Sequence, residues 1–288
     1  MTPLPSFDLH RPSTLNEALE MMSNLEEVKA LAGGTDLIPL IREAECTPKN
    51  LVDLNTIPEL NYIIEENGYL NIGGTVTHSQ LVQNPATKIY PALIDSVRWI
   101  GSPQIRNRGT LAGNVLNASP AADSAPPLLV HEAEVILRSV REERVLPIED
   151  IFEGPKINCL EPDELLTEIR IPLPTEGSSS CFKRIGRRKA FTLSVVSAAV
   201  YLQVEGRLCK EARVAFGSVD MTPVRVVELE EMLADSELDD ETIMETCESA
   251  KNFVNPITDI RGTAEYRRDM CEVLMRRALR KTMERIGE

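Results

Sequence analysis

Paired cysteines, clustered histidines and excess positive charge are what this 288-residue chain lacks, and each shortage narrows its function. Six cysteines stand at positions 46, 159, 181, 209, 247 and 271, with no CxxC spacing among them. That excludes the usual ligand patterns for zinc and for a protein-held iron–sulfur cluster. The opening MTPLPSFDLHRPS has no basic start followed by an apolar core, so the thiols are expected to be reduced and the protein cytoplasmic. Only three histidines occur, His10, His78 and His131, none in an HExxH or comparable pattern, so no metal-centred mechanism is expected. Lys and Arg number 31 against 45 Asp and Glu, a net charge of −14, which speaks against a nucleic-acid partner. Residues 228–248 carry ten acidic side chains and no basic one; they read as solvated helix faces in preference to a dock for a basic partner. No apolar run approaches the ~20 residues of a membrane-spanning helix. GxGxxG and GxxxxGKS/T are missing too, so a nucleotide would need some other cradle.

What is present is ordinary in bulk and unusual in one place. A chain 42% hydrophobic and 26% charged is globular. Its length suits about two domains, with a core that stands without disulfides or metal. The unusual place is residues 100–123, IGSPQIRNRGTLAGNVLNASPAAD. Gly101, Gly109 and Gly113 permit tight turns and close approach, and Ser102, Thr110, Asn114, Asn117 and Ser119 supply neutral donors and acceptors. The stretch is too polar for a buried strand and too poor in charge for a solvated loop. It reads as backbone wrapped around a polar, phosphorylated ligand.

Along the chain, Thr14 and Glu17 form a capping box before a helix whose apolar face is Leu15, Ala18, Leu19 and Met22. Residues 28–32 predict a buried strand, Gly33-Gly34 a turn, and 36–44 a short helix with Pro39 near its start. A second strand at 51–54 precedes a hairpin, 62–64 and 69–72, turned at Asn67-Gly68. Helices are expected at 78–82, capped by Thr77, at 91–99, and at 123–130, capped by Asp123. Strands follow at 134–139, 144–147 and 166–172. Residues 172–180, PLPTEGSSS, mark a domain boundary that leaves 1–175 and 180–288 as two units. The second unit predicts strands at 181–187, 194–204 and 208–216, then helices with one face Ile243, Cys247, Ala250 and Val254 and another Cys271, Leu274, Met275, Ala278 and Thr282.

Two glycine-rich turns, AGGTD at 32–36 and TLAGN at 110–114, are the candidates for chemistry. Backbone N–H groups unobstructed by side chains hold phosphate, and in so acidic a chain neutral donors suit a dianionic pyrophosphate. Either turn alone is equally well a plain chain reversal. His78 reads as a helix-start residue, and His131 as a helix-end cation favoured by the dipole. Trp99 is expected in the core. Arg106 and Arg108 flank the second turn, placed either to touch phosphate or to face solvent or a partner.

Together, in this order and spacing, LAGGTDL and IRNRGTLAGNVLNASPAAD resemble the FAD-binding subunit of molybdenum hydroxylases, the family of xanthine dehydrogenase and aerobic carbon monoxide dehydrogenase. HRPSTLNEAL, LTEIRIP and FKRIGRR extend the resemblance over nearly the whole chain. It implies an α+β fold: a two-lobed FAD-binding domain of the vanillyl-alcohol-oxidase (PCMH) type, then a smaller C-terminal domain of antiparallel sheet and helices. It implies FAD pyrophosphate held by Ala30, Leu31, Ala32, Gly33, Gly34, Thr35, Asp36 and Leu37 from one side. From the other it implies Thr110, Leu111, Ala112, Gly113 and Asn114. Ile100 would lie against the flavin or its chain, Asp123 would bond ribose or adenine-side hydroxyls, and Leu166 and Lys183 would approach from the domain junction. A Lys near the ring would stabilise its anionic reduced form. Two departures stand out: Ala112 replaces a glycine common in the family, and residues 189–194, KAFTLS, differ from relatives, with Phe191 left as a core aromatic.

The resemblance further implies an electron-transfer flavoprotein subunit, unable to hydroxylate substrate alone. Its partners would be a small subunit with two 2Fe–2S clusters and a large molybdopterin subunit, and NAD or a quinone would accept the electrons. Two rivals are a stand-alone flavin oxidoreductase of the same superfamily and a flavin-free scaffold.

Overall fold

The computed structural model describes residues 4–188 and 193–287 and arranges them around three larger sheets and a two-stranded one, Phe152–Gly154 with Ile157–Asn158. The first is parallel, with Asn50–Asp53 in the centre between Asp8–His10 and Val28–Leu31. Parallel neighbours need a crossover, and the helix Leu15–Asn24 supplies one. Its apolar stripe Ala18, Leu19 and Met22 is buried against Val52, Leu54, Ile57 and Leu60. Thr14 caps this helix by accepting from Glu17 N, but Glu17 reaches back to Ser13 N at 2.7 Å, so the reciprocal bond of a capping box falls one residue early. A true capping box occurs at Thr77 and Gln80, opening the helix His78–Gln83.

The second sheet has five antiparallel strands in the order Ile63–Glu66, Tyr69–Gly73, Leu165–Pro172, Glu134–Arg138 and Glu143–Pro147. Its hairpin turns at Asn67 and Gly68 with φ 54 and 83°, the paired left-handed conformation that the Asn-Gly dipeptide predicts. One face packs on the helices Pro91–Val97, Leu111–Leu116 and Ala125–Val130. Two expectations shift here. Ser124, not Asp123, stands at the start of the last helix, and Trp99 lies beyond the end of the first, 51% exposed instead of buried.

The third sheet runs Ser178–Gly186, Ser194–Glu205, Leu208–Gly217 and Val224–Arg225, all antiparallel. Helices Val227–Leu233, Asp240–Ser249 and Ala264–Gly287 cover it, the last burying Cys271, Leu274, Met275, Ala278, Leu279 and Thr282. The acidic segment is solvated as expected except at Glu230, which is 7% exposed and pairs with Arg225. The sheet's other face joins the preceding core: Phe182, Ala199, Tyr201 and Ala215 pack with residues of the five-stranded sheet. Arg285 fastens the junction, donating to Asp95 at 2.8 and 3.0 Å and to Ser180 O at 2.8 Å.

His131 sits inside that junction, between Tyr90 and Tyr201, with a ring nitrogen 3.0 Å from Ser180 Oγ. Burial, then the charge of Arg213, pushes its pKa down to about 3. It is thus a neutral core group and not the helix-end cation that its position implied. The six cysteines are unpaired. Among the described residues no helix is long and apolar enough to cross a membrane.

Candidate functional site

A cavity of about 480 Å³ opens where the parallel sheet meets the five-stranded sheet, and both glycine turns line it. The first turn leaves the strand Val28–Leu31 and enters the helix Leu37–Arg42. Gly34 takes φ 70°, which reverses the chain, while Gly33 makes room for the second turn. A Cβ on Gly33 would stand 2.2 Å from the Arg108 carbonyl oxygen, so the two loops touch backbone to backbone. The second turn is held by Thr110, which caps the helix Leu111–Leu116 and accepts from Gly113 N at 3.0 Å. Asn114 accepts from Ser124 Oγ at 2.6 Å. Across the cavity mouth, Asn117 donates to Asp36 at 3.4 Å and accepts from Lys156 at 3.1 Å.

The backbone donors of the first turn are unspent. The N–H groups of Ala32, Gly33, Gly34, Thr35 and Asp36 donate to nothing among the described residues. Successive free N–H groups in a turn that runs into a helix form an anion-binding concavity. In the second turn Leu111 N donates to Val76 O, Gly113 N to Thr110 Oγ1 and Asn114 N to Thr110 O, which leaves the Thr110 and Ala112 N–H groups as that turn's open donors among the described residues. Ala112 adopts helical geometry outside the positive-φ region, so its methyl group brings no backbone strain. Of the three carboxylates in the wall, Glu164 receives both arms of Arg144 at 2.7 Å and Glu161 pairs with Arg141 at 2.6 Å, while Asp36 accepts only from the Asn117 amide at 3.4 Å.

Thirteen of the expected ligand residues converge on this cavity: Ala30, Ala32, Gly33, Gly34, Thr35, Asp36, Leu37, Ile100, Thr110, Ala112, Gly113, Asn114 and Leu166. Leu31 and Leu111 belong to the same loops but stand outside the wall, Leu111 fully buried in the core. Lys183 also lies outside it, on the strand Ser178–Gly186. Asp123 is placed differently from the expectation of a hydroxyl ligand. Its carboxylate accepts from Arg184 Nη1 at 2.8 Å and Ser194 Oγ at 2.5 Å, tying the first unit to the third sheet. Burial pushes its pKa up to about 6 against the opposing pull of Arg184 and Ser194. Arg106 turns inward to the Ile100 and Gly101 carbonyl oxygens, both at 3.0 Å, and so shapes the loop. Phe191 and its neighbours 189–192 lie outside the described residues.

The wall also holds residues that were not expected as ligands. His78, expected only to start a helix, lines the cavity with Gly109 and with Gly74, which no motif singled out. Gly74 was legible as a glycine pair with Gly73, and its missing side chain makes room for Leu166 O, 2.4 Å from an ideal Cβ. Asn158 and Leu160, from beyond the Glu143–Pro147 strand, complete the far side, where no motif announced them.

The free donors and the bare glycine backbone fit the pyrophosphate of a dinucleotide, held at the seam of an α+β domain. Comparison with known proteins assigns that dinucleotide. Residues 5–174 match the FAD binding domain in molybdopterin dehydrogenase, and residues 180–282 the CO dehydrogenase flavoprotein C-terminal domain. The carbon monoxide dehydrogenase medium chain of Afipia carboxidovorans is 33% identical over 97% of this chain and 98% of its own. The xanthine dehydrogenase FAD-binding subunit of Escherichia coli O157:H7 is 30% identical over 96% of each. The crystal structure of quinoline 2-oxidoreductase from Pseudomonas putida 86 superposes with a TM-score of 0.93 at 27% identity, covering 99% of this chain and all of that one. The chain therefore belongs to the family of FAD-binding medium subunits of molybdenum hydroxylases, and its cofactor is FAD.

Proposed function

We propose that this subunit takes electrons from 2Fe–2S clusters of a small partner subunit, fed by a large molybdopterin subunit, and passes them to NAD or a quinone. The observation that carries the cofactor placement is the run of unspent N–H groups at residues 32–36, lining a cavity in which Glu161 and Glu164 are already paired with arginines. Bound FAD supplies a carrier that accepts electrons from one donor and releases them to another. The chain's own contribution is placement. Residues 32–36 and the Ala112 N–H would neutralise pyrophosphate through dipoles, Ile100 and Leu166 would flank the chain leading to the ring, and Lys183 would approach from the domain junction. Asp123 would act on the site through Arg184 and Ser194, by fixing the third sheet against the loop that carries Ile100. We take residues 1–175 as the cofactor-holding unit and 180–288 as the unit that covers its junction side, in a protein of the cytoplasm.

On this reading the substrate is oxidised at the large partner subunit, so the subunit alone should not oxidise an organic substrate. Purifying the chain with and without its complex tests this. A yellow protein, inert alone and active when assembled, is the expected result. A colourless protein would remove the flavin reading, and unaided turnover of an organic substrate would favour an oxidase.

A further inference from the structure

Among the described residues, four buried side-chain polar atoms find no hydrogen-bond partner: His78 Nδ1, Ser197 Oγ, Arg213 Nε and Arg267 Nε. Only His78 belongs to the cavity wall. It is 2% exposed, and it stands where the two loops meet. Its backbone N–H donates to Gly109 O at 3.0 Å, and Thr77 pairs with Thr110 in an antiparallel bridge. Gly109 separates the ring from the first loop. A Cβ there would lie 3.4 Å from His78 Cδ2 and 3.4 Å from Thr35 Oγ1.

Leaving a buried polar atom unpaired is unfavourable, and native proteins keep one where water, an ion or a ligand completes it. A half-turn of the imidazole about its Cβ–Cγ bond exchanges Nδ1 with Cδ2, and so brings a nitrogen to the Gly109 and Thr35 side. The free N–H groups of the first loop face the same seam. We propose that His78 is a cofactor-binding residue whose imidazole hydrogen-bonds the phosphate–ribityl segment of FAD at the seam of the two loops. This rests on the placement of FAD argued above. Burial, then Arg106, lowers the His78 pKa to about 4, so the ring meets the ligand neutral and serves as donor or acceptor without adding charge.

The test strips FAD from the full chain and titrates it back. His78→Phe is expected to raise the FAD dissociation constant about tenfold or more. The apoprotein's melting temperature should hold or rise, because the orphaned atom is gone. His78→Asn, whose amide reaches the Nδ1 position, should bind more tightly than His78→Phe. A measurement on the wild type needs no variant. With ¹⁵N-labelled histidine, FAD should shift the His78 signals and leave those of His10, bonded to Asn50, and His131, bonded to Ser180. Unshifted His78 signals with FAD bound overturn the proposal, as does FAD affinity of His78→Phe within about twofold of wild type. Wild type that takes up no FAD defeats the cofactor placement itself; wild type and His78→Phe binding alike defeat only the role of His78.

Discussion

A methyl group at position 33 would have to occupy space that the Arg108 carbonyl oxygen holds, 2.2 Å from the ideal Cβ position and backed by Gly109 Cα at 2.9 Å. Both obstacles are backbone, so neither can swing aside. Gly33→Ala is therefore expected to destabilise the apoprotein by about 1–3 kcal/mol and to weaken FAD binding, read by urea unfolding and by flavin titration. Ala112→Gly should do the opposite of what the family pattern implies. Ala112 is helical, so glycine there costs about 1 kcal/mol of stability and leaves FAD affinity unchanged. His131 governs a pH response. Its pKa is about 3 in the fold against ~6.5 in the unfolded chain, so protons below pH ~6.5 bind the unfolded state preferentially. The stability it contributes is complete above that pH and is lost as pH falls toward 3. His78, held at about 4, adds the same sign. Unfolding free energies from urea titrations should drop by about 1.2 kcal/mol for each group from pH 6 to 5, with a shallower slope in His131→Phe. An identical slope in that variant would acquit His131. These residue roles differ in how legible they were. Glycines at 33 and 34 announce backbone demands directly. The burial of His131 depends on Tyr201 and Ser180, which come from another sheet and leave no mark near position 131.

The strands Ser178–Gly186 and Ser194–Glu205 add a buried ion pair to their apolar packing on the first unit. Arg184 and Asp123 are 10% and 6% exposed at their side chains, with Ser194 Oγ on the second carboxylate oxygen. Arg184→Met keeps the apolar stem and strands a buried carboxylate. The expected loss is about 3–5 kcal/mol in thermal or urea unfolding, with Arg184→Met/Asp123→Leu recovering much of it. Failure of the double variant to recover would mean that the pair is not the contact being lost. Most elements were readable because each carries its own period: alternation over Leu165–Pro172, and a helical stripe from Cys271 to Thr282. The strand Val224–Arg225 was not, since two residues hold no period and it exists only by pairing with Ala215 and Phe216. Asp123 was misjudged as a helix cap for a related reason: capping chemistry is local, but Arg184 and Ser194 are distant in sequence and compete better for the carboxylate.

For the molecule as a whole, FAD held in the cavity as proposed would also be a structural member. The cavity wall draws on the parallel lobe through Ala30 and Leu37 and on the antiparallel lobe through Thr110 and Leu166. A ligand bound across both must stabilise the folded chain over the unfolded one. Saturating FAD at about 100 times its dissociation constant should add about 2.7 kcal/mol, seen as a melting temperature that climbs with FAD concentration. FMN lacks the adenylate half and should give a smaller rise; equal rises would put the adenylate outside the cavity. The paired turns conveyed this two-sided arrangement from the sequence, because only their joint occurrence is unusual. The segment around Asn158 and Leu160 did not, since nothing about its residue types distinguishes a wall from a loop.

The order of residues in that wall also sets a timetable. It begins at Met22 and closes at Leu166, while the core behind it includes Phe182, Ala199 and Ala215. A chain emerging from the ribosome with its N-terminus first therefore presents one half of the phosphate cradle long before the other half exists. The wall closes only with Leu166, so the two halves of the cradle cannot face each other before that residue has been made.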